Sequence, residues 1–97
     1  SIIIMELSKI AANLCAKIPS AKANKIKCTF SVSTTSEGSQ YLYFTVFFND
    51  CGEEINRSLV FYEFHTKEQH AEKLEKIENF LNGQISAKEL YNKAHFN

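Results

Sequence analysis

The sequence predicts an α+β domain: a three-stranded antiparallel β-meander set between an N-terminal helix and a C-terminal helix, with one short helix at the end. Three observations predict it. Apolar residues fall at helical spacing near the N-terminus. A period-two alternation starts at residue 26 and is interrupted twice by turn clusters. Two helix-start signatures follow in the last third of the chain. The 97 residues suit one domain spanning 1–97 and are too few for two.

The first helix is expected over residues 5–18. Leu7, Ile10, Ala11, Leu14 and Ile18 share one face, while Glu6, Lys9, Asn13 and Lys17 lie mostly elsewhere. Pro19 is expected to end it, because proline disfavours helical backbone in the residue before it. Residues 19–25 then read as a linker of small and basic residues. Met5 is an alternative natural start, which would make Ser1–Ile4 an addition.

Residues 26–35 alternate as a half-buried strand. Ile26, Cys28, Phe30 and Val32 point one way, and Lys27, Thr29, Ser31 and Ser33 the other. Ser36-Glu37-Gly38-Ser39 is a turn cluster. A second strand covers 41–48 and a third 54–64. Between them Asn49-Asp50-Cys51-Gly52 supplies turn chemistry, with a glycine free to take positive φ. Two connections this tight imply a meander.

Thr66-Lys67-Glu68-Gln69 matches a capping box, in which the hydroxyl accepts from the amide three residues on and the glutamine reaches back. Ala71, Leu74, Ile77 and Leu81, with Phe80 beside them, continue as an apolar stripe. Gly83 fits the position that terminates a helix. A second capping box, Ser86-Ala87-Lys88-Glu89, opens a short helix over about 87–94. Ile85 and Leu90 flank it as a hydrophobic staple.

Composition narrows the function classes. Hydrophobic residues make up 44%, and a domain of this size buries roughly two-thirds of its unfolded surface, enough for a core without staples. Eleven basic residues balance eleven acidic ones, with the N-terminal half basic and the C-terminal half acidic. A general polyanion binder would be basic overall. Three cysteines, Cys15, Cys28 and Cys51, make a poor disulfide framework, and no secretory or membrane-spanning run is seen. A reducing, cytoplasmic setting is expected, with Cys15 and Cys28 in the core and Cys51 in a turn.

The sharpest functional signal is the second strand. If Leu42, Phe44, Val46 and Phe48 face the helices, then Tyr41, Tyr43, Thr45 and Phe47 face outward. The third strand would extend this patch with Arg57 or Tyr62, depending on register. The continuously apolar run Leu59–Tyr62 leaves room for a bulge that would switch faces. Aromatic rings carry large contact area with few rotatable bonds. The alternatives are that the last helix or a second copy of the chain covers this face.

Lys22, Lys25 and Lys27, with Lys17 nearby, form a second candidate. Lysines beside aromatic rings suit single-stranded nucleic acid, and a solvated loop explains them equally. Catalytic and metal signatures are weak. The sequence has no glycine-rich phosphate loop, no nucleophile elbow and no Cys-x-x-Cys. His65 and His70, five apart, do not share a helical face. Cys51, His65 and His70 are one candidate metal set, and no metal or other cofactor is expected.

The order helix, three strands, helix over residues 5–82 resembles that of double-stranded-RNA-binding domains. Those domains carry a lysine-rich start to their second helix. Here that start reads Thr66-Lys67-Glu68-Gln69-His70, then Glu72-Lys73, and the lysine cluster is missing. The resemblance is one of element order, and it carries no site residues across.

The expected function is therefore a non-catalytic protein-binding module. It would act as an inhibitor, adaptor or immunity-type partner of a larger protein, of the kind found among phage and bacterial accessory proteins. Tyr41, Tyr43, Phe47, Arg57 and Tyr62 would bind the partner. A nucleic-acid-binding module using Lys22, Lys25 and Lys27 is the first alternative. A structural homodimer joined through the sheet face or an edge strand is the second. No membrane partner is expected.

Overall fold

The computed structural model describes residues 6–90. Its elements are α1 (Leu7–Ala23), β1 (Lys27–Thr34), β2 (Gln40–Asp50), β3 (Glu53–Tyr62), α2 (Lys67–Leu81) and α3 (Ala87–Leu90). The α+β meander is thus as the sequence predicts, with sheet order β1-β2-β3 and both pairings antiparallel. Residues 91–94 of the expected last helix lie outside the described residues.

The first helix departs most from expectation. It runs through Pro19 to Ala23 and turns most of the expected linker into helix. Proline removes one helical amide and leaves the carbonyl four residues back without its donor. Here Pro19 and Cys15 both lie on the exposed side, where water can serve that carbonyl. The inward side carries Leu7, Ile10, Leu14 and Ala21, so packing holds the helix together past the break. Ile18 ends at the rim of the stripe, 38% exposed.

Both long helices end in the same way. The amide of Ile26 donates to Ala21 O (2.9 Å) and that of Lys25 to Lys22 O (3.2 Å). In α2 the amide of Gln84 donates to Asn79 O (2.8 Å) and that of Gly83 to Phe80 O (3.0 Å). These are Schellman closures, which need a left-handed residue just past the helix. Gly83 takes that conformation at φ 80°, whereas in α1 the position is filled by Lys25 at φ 57°. The capping boxes at Thr66 and Ser86 both form.

Core and solvent faces of the sheet follow from register. Leu42, Phe44 and Val46 of β2 and Leu59 and Phe61 of β3 are wholly buried. They join one cluster with Leu7, Ile10 and Leu14 of α1 and with Leu74, Ile77, Phe80 and Leu81 of α2. Both helices therefore cover the same face of the sheet. Pairing runs unbroken from Tyr41↔Tyr62 to Asp50↔Glu53, so no bulge interrupts the apolar run of β3. That strand stops at Tyr62, two residues earlier than predicted, where the His65 amide turns back to Tyr62 O (3.1 Å).

The stripe of α2 also differs. Ala71 is exposed, and His70 and Lys73 are buried in line with Leu74, Ile77, Phe80 and Leu81. Their polar atoms have a use there. As an edge strand, β3 turns alternate carbonyls away from its only neighbour. His70 Nε2 donates to Tyr62 O (2.8 Å), and Lys73 Nζ donates to Val60 O. Two polar side chains of α2 thus close one stretch of an open sheet edge.

Candidate functional site

The face of the sheet opposite the helices is where the aromatic side chains collect. Strand geometry sends alternate residues to opposite faces. With Leu42, Phe44 and Val46 inward, Tyr41, Tyr43, Thr45 and Phe47 point outward. All four are half-buried, and no described helix covers them.

Register decides what stands beside them. Tyr41 lies between Ser33 and Tyr62, Tyr43 between Ser31 and Val60, Thr45 between Thr29 and Ser58, and Phe47 between Lys27 and Asn56. Tyr62 therefore joins the patch. Arg57 does not, because it pairs with Val46 and so belongs to the helix-side face. Its Nη1 donates to Asn56 O (2.8 Å).

At one end the rings form a continuous row. Tyr43 stacks on Tyr41 (5.6 Å between centroids), Tyr41 meets Tyr62 (6.4 Å), and Tyr62 stacks on Phe64 (4.9 Å). Phe64 is 76% exposed, the most open large apolar side chain described. Phe64 falls at the end of the expected third strand and is not among the expected partner-binding residues. Its apolar character just outside a strand was the available signal. The middle of the face is polar, with Thr45 Oγ1 and Ser58 Oγ 2.7 Å apart.

At the other end Phe47 stands apart from the row. Six residues separate it from Tyr41, roughly 20 Å of strand. Lys27 Nζ lies 4.9 Å from the Phe47 ring centre and 3.3 Å from Glu54 Oε2, so its charge is locally matched. Lys25 and Lys27 border a cleft of about 410 Å³ with Phe47, Phe48, Asn49 and Glu54. Lys22 sits in the last turn of α1. The lysines thus gather at the Phe47 end, away from the row of tyrosines.

The histidines come together differently from expectation. His65 precedes α2 and His70 lies within it, and their rings are 5.8 Å apart. The Tyr62 amide donates toward His65 Nδ1 (3.5 Å), while His70 Nε2 donates to Tyr62 O (2.8 Å). Burial, with Lys73 and His70 nearby, lowers the pKa of His65. Burial likewise lowers that of Lys73.

Cys51 lies at the opposite end of β3 from these histidines, in the tight turn between β2 and β3. The combination Cys51, His65 and His70 is therefore not assembled, and no group of three metal-ligating side chains occurs among the described residues. Cys15 is exposed rather than core. Cys28 is half-buried against the core, and burial raises its thiol pKa. Lys88 pairs with Asp50 (3.0 Å) and lowers the pKa of its carboxyl group. No helix among the described residues is long and apolar enough to cross a membrane.

Comparison with protein-family models, with curated protein sequences and with solved structures finds no match.

Proposed function

We propose that this chain is a small non-catalytic binding module that docks a larger protein through the outer face of its sheet, in the manner of an inhibitor, adaptor or immunity-type partner. One observation carries the reading. Both long helices pack on a single face of the sheet, and the other face presents Tyr41, Tyr43, Tyr62 and Phe64 as a row of neighbouring rings, two of the three contacts stacked. Aromatic anchors of this kind supply most of the energy in protein interfaces. The stacking limits the rotamer freedom a partner would otherwise have to freeze.

Two further points favour a protein over a nucleic acid. A groove for single strands needs cations beside its stacking rings. Here Lys22, Lys25 and Lys27 lie at the Phe47 end, and Lys27 is already paired with Glu54. A non-catalytic role is supported by the placement of Cys51 and of the His65–His70 pair at opposite ends of β3, since a thiol and its base must lie within hydrogen-bond reach.

The test uses tagged wild-type chain and a Tyr43→Ala variant as baits in the native host, with mass spectrometry and then affinity measurement on the captured protein. The reading expects one major protein partner whose binding weakens by more than about 1 kcal/mol in the variant. A partner bound equally well by Tyr43→Ala and Tyr62→Ala variants would overturn it. So would capture of nucleic acid whose binding falls steeply with salt.

A further inference from the structure

The end of the aromatic row is held by ionisable groups. Tyr62 belongs to the outer face by its side chain, yet its main chain is gripped from the edge. Its carbonyl accepts from the His65 amide (3.1 Å) and from His70 Nε2 (2.8 Å), and its amide donates toward His65 Nδ1 (3.5 Å). The His65 ring also meets Tyr62 edge-on (5.2 Å) and Phe64 edge-on (4.9 Å). Two imidazoles therefore set the position of the two outermost rings.

The His65 contact requires a neutral imidazole, because its Nδ1 must accept from the Tyr62 amide. A carbonyl can only accept, so Nε2 of His70 carries a proton. His70 is fully buried, and Nδ1 has no partner among the described residues. For His65, a proton on Nδ1 would set two donors, Nδ1–H and the Tyr62 amide, against each other. The surroundings oppose a charge on His65. From α2 come the ammonium of Lys73 and the imidazole of His70, which packs against the Phe61 ring. Glu63, next along the chain from Tyr62, turns its carboxylate to the Gln40 amide (2.5 Å) instead.

We infer that His65 is a proton-operated latch on the Tyr62–Phe64 corner, closed while its imidazole is neutral and released as the pH falls, with His70 as the fixed donor that holds Tyr62 O. The latch gains its functional meaning from the docking role of this face: a released corner would shorten the row of rings that a partner meets. Burial and the neighbouring positive groups place the His65 midpoint below the ordinary histidine value of 6.5.

Nuclear magnetic resonance on the whole chain, titrated from pH 8 to pH 5, tests the latch without a partner. The ring signals of Tyr62 and Phe64 should move together with the His65 imidazole signal. Exchange of the Tyr62 amide, corrected for its intrinsic pH dependence, should quicken by about tenfold or more as the corner opens. A His65→Phe variant keeps an aromatic ring in place and removes the proton site, so its Tyr62 and Phe64 signals should respond much less. His70→Gln retains a donor for Tyr62 O and should leave the response in place; if it does not fold, His65→Phe decides. Imidazole titration with unmoved Tyr62 and Phe64 signals would overturn the latch, as would a full response in His65→Phe. These outcomes are separate from the docking reading: binding unaffected by Tyr43→Ala removes that reading and leaves the latch, whereas a flat titration removes only the latch.

Discussion

The side-chain amide of Asn24, the cap residue of α1, donates to Leu81 O at 2.7 Å, the last carbonyl of α2. The same Nδ2 also lies 3.1 Å from Ser20 O. Helix ends leave carbonyls without amide partners. One side chain here serves both ends, which ties the two helices together on the core side of the sheet.

Asn24→Ala should therefore lower stability by about 1–2 kcal/mol, since Leu81 is buried and its carbonyl would lose a donor. Urea unfolding at neutral pH checks this. Asn24→Asp keeps the shape but places a carboxylate against two carbonyls, and should be no better than alanine.

Lys25 and Cys51 hold left-handed backbone, at φ 57° and 54°, that residues with a Cβ adopt at a cost. Lys25→Gly should raise stability by about 0.5–1 kcal/mol. Cys51 and Gly52 both have positive φ, as a two-residue type I′ hairpin requires. Asparagine suits the first position best, so Cys51→Asn should also stabilise, by about 0.5 kcal/mol. Thermal melts of the two variants and their double mutant check both, and the gains should add because the sites are distant.

Lys73 is buried, with Nζ donating to Val60 O and lying 5.8 Å from the Phe61 ring centre. Lys73→Ala should cost about 1.5–3 kcal/mol, because a charged donor is lost and an edge carbonyl is left bare. Concentration-dependent light scattering on this variant is informative too. An uncovered edge favours strand pairing between copies, so its mass should rise with concentration more than that of the wild type.

Stability should fall on mild acidification. The pKa of His65 is lowered in the folded state, so the unfolded chain binds more protons between that value and about 6.5. The associated stability is complete above the unfolded value and is lost as pH falls through the folded one. Urea midpoints at pH 7.5 and pH 5.5 should differ in the wild type and converge in His65→Phe.

Tyr43→Ala should change the melting temperature little, because Tyr43 is half-buried on the outer face and a cross-strand pair contributes roughly 0.2–1 kcal/mol. Arg57→Ala should leave partner binding unchanged, since register sends Arg57 to the helix-side face. A melting drop as large as that of a core substitution would remove Tyr43 from the docking surface.

What the sequence alone determined is local. Both capping boxes, the alternation of the second strand and the turn ending in Gly52 were legible, because each depends on atoms within a few residues of one another. The odd-numbered residues of that strand could be grouped on one face for the same reason. The tertiary structure decided everything that joins distant segments. Register chose Tyr62 over Arg57 as the neighbour of the tyrosines, and only strand pairing sets register. Packing of Ala21 and closure at Asn24 carried α1 past Pro19, outweighing a local breaker. Counting back from Ile77 places His70 and Lys73 on the buried face, although both are polar. Their burial became favourable only where the open edge of β3 offered carbonyls to polar groups that would otherwise stay in water.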